Sequence, residues 1–427
     1  MLHPVSRCAA DVNPIVSCQL RLVAILAVGV LAGFSAQAAE GQTSGLASAV
    51  DQAWRLNPQA AGLDAREAEA RAAQDLAAGL TPEPGSLSIG NLSDRFNRNQ
   101  GRQEFELELA VPLWLPGQKT AREAEAASQL DEILAKRAAL RLEVGGELRE
   151  AWWALAAARS AKLMASRRLE TARALESDVM RRYRVGELSR IDANLAQTET
   201  HAANAEWVEA QATLLQAEQA VQTLTGSPAP MNLDEESPTG RRLIDESGDS
   251  AASHPWLAVT AAAARSARAR AKVADESRRA APELALRVVR ERGDFAESYS
   301  SSVGIKLKIP FSSGSQVRRQ SAAAQAEANQ AETDLLRTQT RIRLDAERAQ
   351  RNLQSAERQL AMAHERRQLS AENLRLAEKA FALGASDLAS LLRIRAAAFD
   401  AEAFLDRQRV ARAAAISRLN QAMGVLP

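Results

Sequence analysis

Ala110–Ala127 reads AVPLWLPGQKTAREAEAA and Lys308–Gln325 reads KIPFSSGSQVRRQSAAAQ. In both, an alternating apolar run meets a proline, a glycine-containing turn follows, and a charged, alanine-rich helical pattern begins. Pro112 matches Pro310 and Gln118 matches Gln316, each 198 residues apart. The same offset of 198 relates Tyr183 and Gly186 in RYRVGELS to Phe381 and Gly384 in AFALGASD, and Gly226 in QTLTG to Gly424 in QAMG. Asn57-Pro58 pairs with His254-Pro255 at 197. Composition alone would make alanine-rich helices resemble one another, but it would not hold a fixed register. One structural unit therefore occurs twice.

Outward from these landmarks, the periodicity predicts the elements. No proline occurs from Lys119 to Tyr183 or from Val317 to Phe381, and charged residues are interspersed with Ala, Leu and Ile at three-to-four spacing, as in Leu148, Trp152 and Leu155. About 65 residues at 1.5 Å each predict rods of roughly 100 Å. Second helices are expected over about Ser189–Leu224 and Asp387–Met423, shorter ones over about Leu46–Ala78 and Pro255–Ser277. Gly145-Gly146 suggests a kink that the second unit lacks. The narrow, small-residue apolar stripe suits antiparallel coiled coils packed closely.

Between the helices the period becomes two. Phe105, Leu107, Leu109 and Val111 share one face of EFELELAV, and Glu104, Glu106 and Glu108 the other. In SVGIKLKIPF, Val303, Ile305, Leu307, Ile309 and Phe311 alternate with Gly304, Lys306 and Lys308. Preceding strands, SLSIGNLS from Ser86 and ELALRVVR from Glu283, complete hairpins over about 86–113 and 283–311. These strands approach the 9 to 11 residues that cross a bilayer at a tilt, and Trp114 between Leu113 and Leu115 suits an interfacial ring. Four strands close no barrel, and lipid tolerates no open edge, so several chains must share one.

The N-terminus reads as an address. Arg21 precedes the apolar run Leu22–Gly33, followed by Ala36-Gln37-Ala38, so residues 1–38 are read as a cleavable signal peptide. Both cysteines, Cys8 and Cys18, fall in that segment. Subtracting Arg7, Arg21 and Asp11 from 54 basic and 53 acidic residues leaves 52 of each, a neutral mature chain with no basic footprint for nucleic acid. The expected organisation is a first repeat at 39–226, an equatorial linker at 227–253 and a second repeat at 254–427.

A duplicated helix, β-hairpin, long helix, tip turn and helix resembles the TolC family of outer-membrane efflux channels. PLWLPGQ at Pro112–Gln118 is similar to the outer-membrane components of cobalt, zinc and cadmium type heavy-metal efflux systems. The resemblance implies an α-helical coiled-coil barrel joined to a membrane β-barrel: a homotrimer with twelve strands in one barrel and a periplasmic helical tunnel. It implies export of divalent cations, a periplasmic adaptor, an inner-membrane resistance-nodulation-division pump, and residence in the outer membrane of a Gram-negative bacterium. The strand faces then place Glu106, Glu108, Lys306 and Lys308 in the lumen and Phe105, Leu107, Leu109, Val303, Ile305 and Leu307 against lipid. The family's tip turns close the tunnel and dock the adaptor. That role falls on Gly186, Glu187 and Ser189 and on Gly384, Ser386 and Asp387, where glycine permits reversal and Ser or Asp caps the next helix. Asp192 matches the family's acidic aperture position. Ser390 and Arg393 stand where the second unit would have acids, so an Asp192–Arg393 ion pair is the expected substitute.

Three other readings compete: a periplasmic adaptor, a soluble coiled-coil scaffold, and a channel for drugs or other organic compounds. An adaptor usually has one helical hairpin within a small β domain, and a scaffold leaves the matched hairpins unexplained. An enzyme has least support: His201, His254 and His364 are dispersed, and HExxH, GxSxG and GxxxxGK are absent. No catalytic residue, metal site or cofactor is expected. His254 takes the place of Asn at the start of a helix.

Overall fold

A computed structural model describes residues 45–239, 254–311 and 314–427. The signal-peptide reading, both cysteines and linker positions 240–253 lie outside the described residues. The elements are α1 (Leu46–Leu56), α2 (Pro58–Ala77), β1 (Ser86–Ser93), β2 (Gln103–Pro112), α3 (Gln118–Arg184), α4 (Arg190–Thr225), α5 (Pro255–Glu276), β3 (Glu283–Arg292), β4 (Ser300–Lys308), α6 (Gly314–Ala382) and α7 (Leu388–Ala422).

The long rods follow the sequence pattern closely. α3 has 67 residues and α6 has 69, so each is about 100 Å long. Leu148, Trp152 and Leu155 are fully buried, and a string of small clusters rather than one globular core runs down the bundle. Alanines dominate the buried faces, which lets helices approach closely.

Two expectations need correction. The helix expected over 46–78 is two helices, because a residue before proline is driven out of the helical region. Asn57 adopts φ −73°, ψ 119° and its Oδ1 accepts from the N–H groups of Gln59 (2.8 Å) and Ala60 (3.2 Å). His254 does the same job for α5, with Nδ1 accepting from Trp256 N–H at 3.2 Å. The Gly145-Gly146 pair does not interrupt α3. It makes room instead: a Cβ on Gly146 would lie 2.7 Å from Gln421 Nε2, and one on Gly145 would touch Leu426 and Pro427.

The two hairpins form one antiparallel sheet, ordered β1-β2-β3-β4. β2 of the first hairpin pairs with β3 of the second, Leu107 opposite Val288 and Leu109 opposite Leu286, while Ile89 and Leu87 flank them from β1 and Val303 and Ile305 from β4. Period-two alternation thus gives the sheet one apolar and one charged face. β1 and β4 are edges.

Candidate functional site

The charged face of the sheet is internally paired. Arg287 Nε lies 2.6 Å from Glu106 and its Nη2 3.5 Å from Glu104; Lys306 Nζ lies 3.2 Å from Glu108, and Lys308 Nζ 3.2 Å from Glu283. These side chains cover Ala285 and Val289, which are buried. The opposite face has no such cover. Leu107 is 45 % exposed, Val303 72 % and Ile305 80 %. The four residues expected in a lumen therefore share one face, and the six expected at lipid share the other.

Where sheet meets helices, the PLWLPGQ segment is a joint. Gln118 is buried; its Oε1 accepts from Leu115 N–H and its Nε2 donates to Ser277 Oγ at the end of α5, both at 3.1 Å. It ties the first unit to the second. Trp114, expected in an interfacial ring, is half-buried, and its Nε1 donates to the Gly79 carbonyl (3.2 Å). Both residues line a cleft of about 550 Å³ that also holds Arg122, Glu125 and Gln316.

At mid-bundle a buried clasp appears that the sequence reading missed. Arg149 is 1 % exposed. Its Nη2 donates to Glu236 Oε1 (2.6 Å) and to the Val425 carbonyl (2.9 Å), its Nε to Glu236 Oε2 (3.0 Å) and its Nη1 to Gln421 (2.5 Å). Ser417 also donates to Glu236 and accepts from Trp153 Nε1. Linker residue Glu236 thus binds α3 to α7. One Arg among dozens and one Glu in a polar loop carry no signal of this in sequence, whereas Gln118 was visible as a repeat landmark.

The tips reverse as expected. Gly186 has φ +85° and Gly384 φ +70°, the left-handed region that glycine enters freely. Ser189 caps α4 in a reciprocal box with Asp192: Ser189 N–H and Oγ donate to Asp192 Oδ2, and Asp192 N–H donates to Ser189 Oγ. Asp387 caps α7 by accepting from Ser390 N–H (2.8 Å). Hydrogen bonding to Ser390 holds the Asp387 carboxyl below its ordinary value, with Arg393 adding to the effect. The expected Asp192–Arg393 pair does not form within the chain. Asp192 is engaged with Ser189, and Arg393 acts on Asp387 of its own turn. The two tips pack together through Val179, Ala196, Leu388 and Leu391, with Arg182 over the Phe381 ring.

Residues 248–425 match the family described as outer membrane efflux protein. No curated protein matches the chain. Among solved structures, the Campylobacter jejuni CmeC outer membrane channel superposes with TM-score 0.73 at 16 % identity, covering 89 % of this chain and 85 % of that one. The Vibrio cholerae outer membrane protein VceC gives 0.73 at 15 %, covering 89 % and 96 %. CusC, whose structures concern folding and transmembrane channel formation, gives 0.73 at 16 %, covering 90 % and 92 %. The chain therefore shares the fold of these outer membrane channels, long helices with a small antiparallel β part. The family is one of transport channels rather than enzymes.

Among the described residues no helix is long and apolar enough to cross a membrane, and no group of three or more His, Cys, Asp or Glu is placed to hold a metal ion. His201 and His364 are exposed on separate helices, and His254 is a helix cap.

Proposed function

We propose that the chain is one third of an outer membrane exit duct in a tripartite efflux system. One observation carries the reading: a four-stranded sheet with a continuous exposed apolar face and two open edges stands at one end of a helical bundle about 100 Å long. Three copies joined edge to edge, β1 to β4, give twelve strands with no free edge, the apolar face toward lipid and the Glu104/Glu106/Glu108 face toward water. The helical parts extend through the periplasm, and the Gly186 and Gly384 turns meet a periplasmic adaptor coupled to an inner-membrane pump. The cargo is a divalent heavy-metal cation, on the strength of the PLWLPGQ resemblance.

The architecture is tested by recovering the protein from the outer-membrane fraction. A heat-modifiable trimer is expected, and a soluble periplasmic monomer would refute the duct. Single-cysteine variants at Leu107 and Glu106 should differ sharply in aqueous labelling. For the cargo, deletion of the gene should lower tolerance to zinc, cadmium, cobalt or nickel and leave drug tolerance unchanged; the reverse pattern would make the substrates organic.

A further inference from the structure

The apolar face ends abruptly on the side away from the helices. Along it the rows read Val111/Leu284/Leu307, Leu109/Leu286/Ile305 and Leu107/Val288/Val303, then Phe105/Arg290/Ser301, and beyond them Gln103 beside Arg292. Two arginines thus stand in line with the leucines. Arg290 Cζ and Arg292 Cζ each lie 4.9 Å from the centroid of the Tyr299 ring, so their separation is bounded by twice that distance. Arg292 also stacks on Phe295 at 5.4 Å, and Tyr299 is held by its hydroxyl, which donates to Gln103 at 2.6 Å.

Neither arginine has a carboxylate at ion-pair distance among the described residues. The nearby acids are otherwise engaged. Asp94 accepts from the N–H groups of Gln100 and Gly101, Asp294 from those of Ala296 and Glu297, and Glu297 from that of Gly293. Glu291 belongs to the charged face by strand parity. Arg95, Arg98 and Arg102, in the neighbouring loop, add positive charge with no carboxylate partner of their own among the described residues. Two guanidiniums held on one ring at the edge of an apolar band call for an anion that arrives with an apolar body.

We infer that Arg290 and Arg292, positioned by Tyr299 and Phe295, bind the phosphate group of an outer-leaflet lipid whose acyl chains lie along Leu107, Leu286 and Val288. Arg292 Nε donates to the Gly101 carbonyl (3.0 Å), so its two Nη groups and the fork of Arg290 are what match phosphate in a bidentate manner, and aromatic residues suit the membrane boundary. This rests on the reading of the apolar face as membrane-facing.

The test uses the full-length protein in phosphatidylcholine vesicles containing diphosphorylated lipid A. After gentle extraction, native mass spectrometry counts retained lipid A. The wild type should retain about tenfold more of the diphosphorylated than of the dephosphorylated lipid, and Arg290→Gln/Arg292→Gln should lose that preference. Arg290→Lys/Arg292→Lys, which keeps charge without the fork, should fall between them and controls for folding. Millimolar inorganic phosphate should not compete, because the free anion lacks the acyl contribution. Equal retention by wild type and the Gln double variant overturns the inference, and full displacement by inorganic phosphate overturns its lipid source. Both results leave the duct standing if the protein resists carbonate extraction from the vesicles. A wild type that is carbonate-extractable removes the membrane reading and this inference together.

Discussion

The middle of the bundle and the sheet at its end treat the same problem in opposite ways. At mid-bundle the chain buries even a guanidinium, and supplies Glu236, Gln421 and the Val425 carbonyl to satisfy it. In the sheet, the large apolar side chains of one face, Val111 apart, are left 38–80 % exposed, and the two edge strands each have one unpaired side. The first region is complete within one chain. In the proposed duct the second is finished by other molecules: lipid on the face, and copies of the chain on the edges. Stability and function therefore reside in different places. The clasp joins α3, the linker and α7, and on the proposed reading the sheet sets where the assembly stands.

The sharpest way to break this contrast is to open the clasp. Glu236→Ala leaves Arg149 buried without its charge partner and should destabilise the fold by about 3–5 kcal/mol, read as a fall in the urea midpoint. Arg149→Met with Glu236→Leu removes both charges and should recover most of that loss. If Glu236→Ala unfolds at the wild-type midpoint, the clasp is ornamental. The matching change in the sheet is Leu107→Arg. It should leave the helical fold intact yet cost about 2–4 kcal/mol of membrane insertion, seen as protein lost from the outer-membrane fraction. A normal yield in that fraction would mean that Leu107 does not face the hydrocarbon.

Sequence reading reached these two regions unequally, for a physical reason. Helix lengths, strand parity and both tip turns are local or periodic signals, and the offset of 198 residues marks Gln118, whose side chain donates to Ser277. The pairing of β2 with β3 joins segments far apart in sequence and has no local trace, though the shared parity allowed it. Arg149 and Glu236 are 87 residues apart. Each looks like an ordinary solvated charge until the linker folds back. Proline gave its warning at Asn57-Pro58, but the continuing 3.6-residue pattern on both sides masked the break. Asp192 and Arg393 do not pair within the chain because a carboxylate three residues from an N-cap serine satisfies local N–H and hydroxyl donors first.

The tips carry smaller effects. Gly186 and Gly384 have positive φ and nothing within 4 Å of an added Cβ, so substitution there measures backbone strain alone. Gly186→Ala and Gly384→Ala should each cost about 1–2 kcal/mol locally. Faster amide exchange in the flanking turns, with an unchanged global urea midpoint, is the expected signature. A lowered midpoint would show that the tip is coupled to the clasp after all.

The smallest effect distinguishes the two tips from each other. α4 is capped by a reciprocal serine and aspartate pair, whereas α7 depends on one exposed carboxylate, Asp387, accepting from Ser390. Because those hydrogen bonds and Arg393 lower the folded-state value of Asp387, its contribution is complete above the ordinary aspartate value. It is lost as pH falls through the lower, folded-state value. Asp387→Asn keeps an acceptor that does not titrate in this range, so its cap should survive acid; Asp387→Ala should lose the cap at every pH. Amide exchange at Ser390 and Leu391, each variant compared with wild type between pH 3 and 7, reads this as a difference of less than about tenfold. Wild type and Asp387→Asn should differ in how protection changes below pH 4. Parallel profiles would mean that the Asp387 carboxylate does not hold the first turn of α7, and that the second tip is kept in place by packing of Leu388 and Leu391 alone.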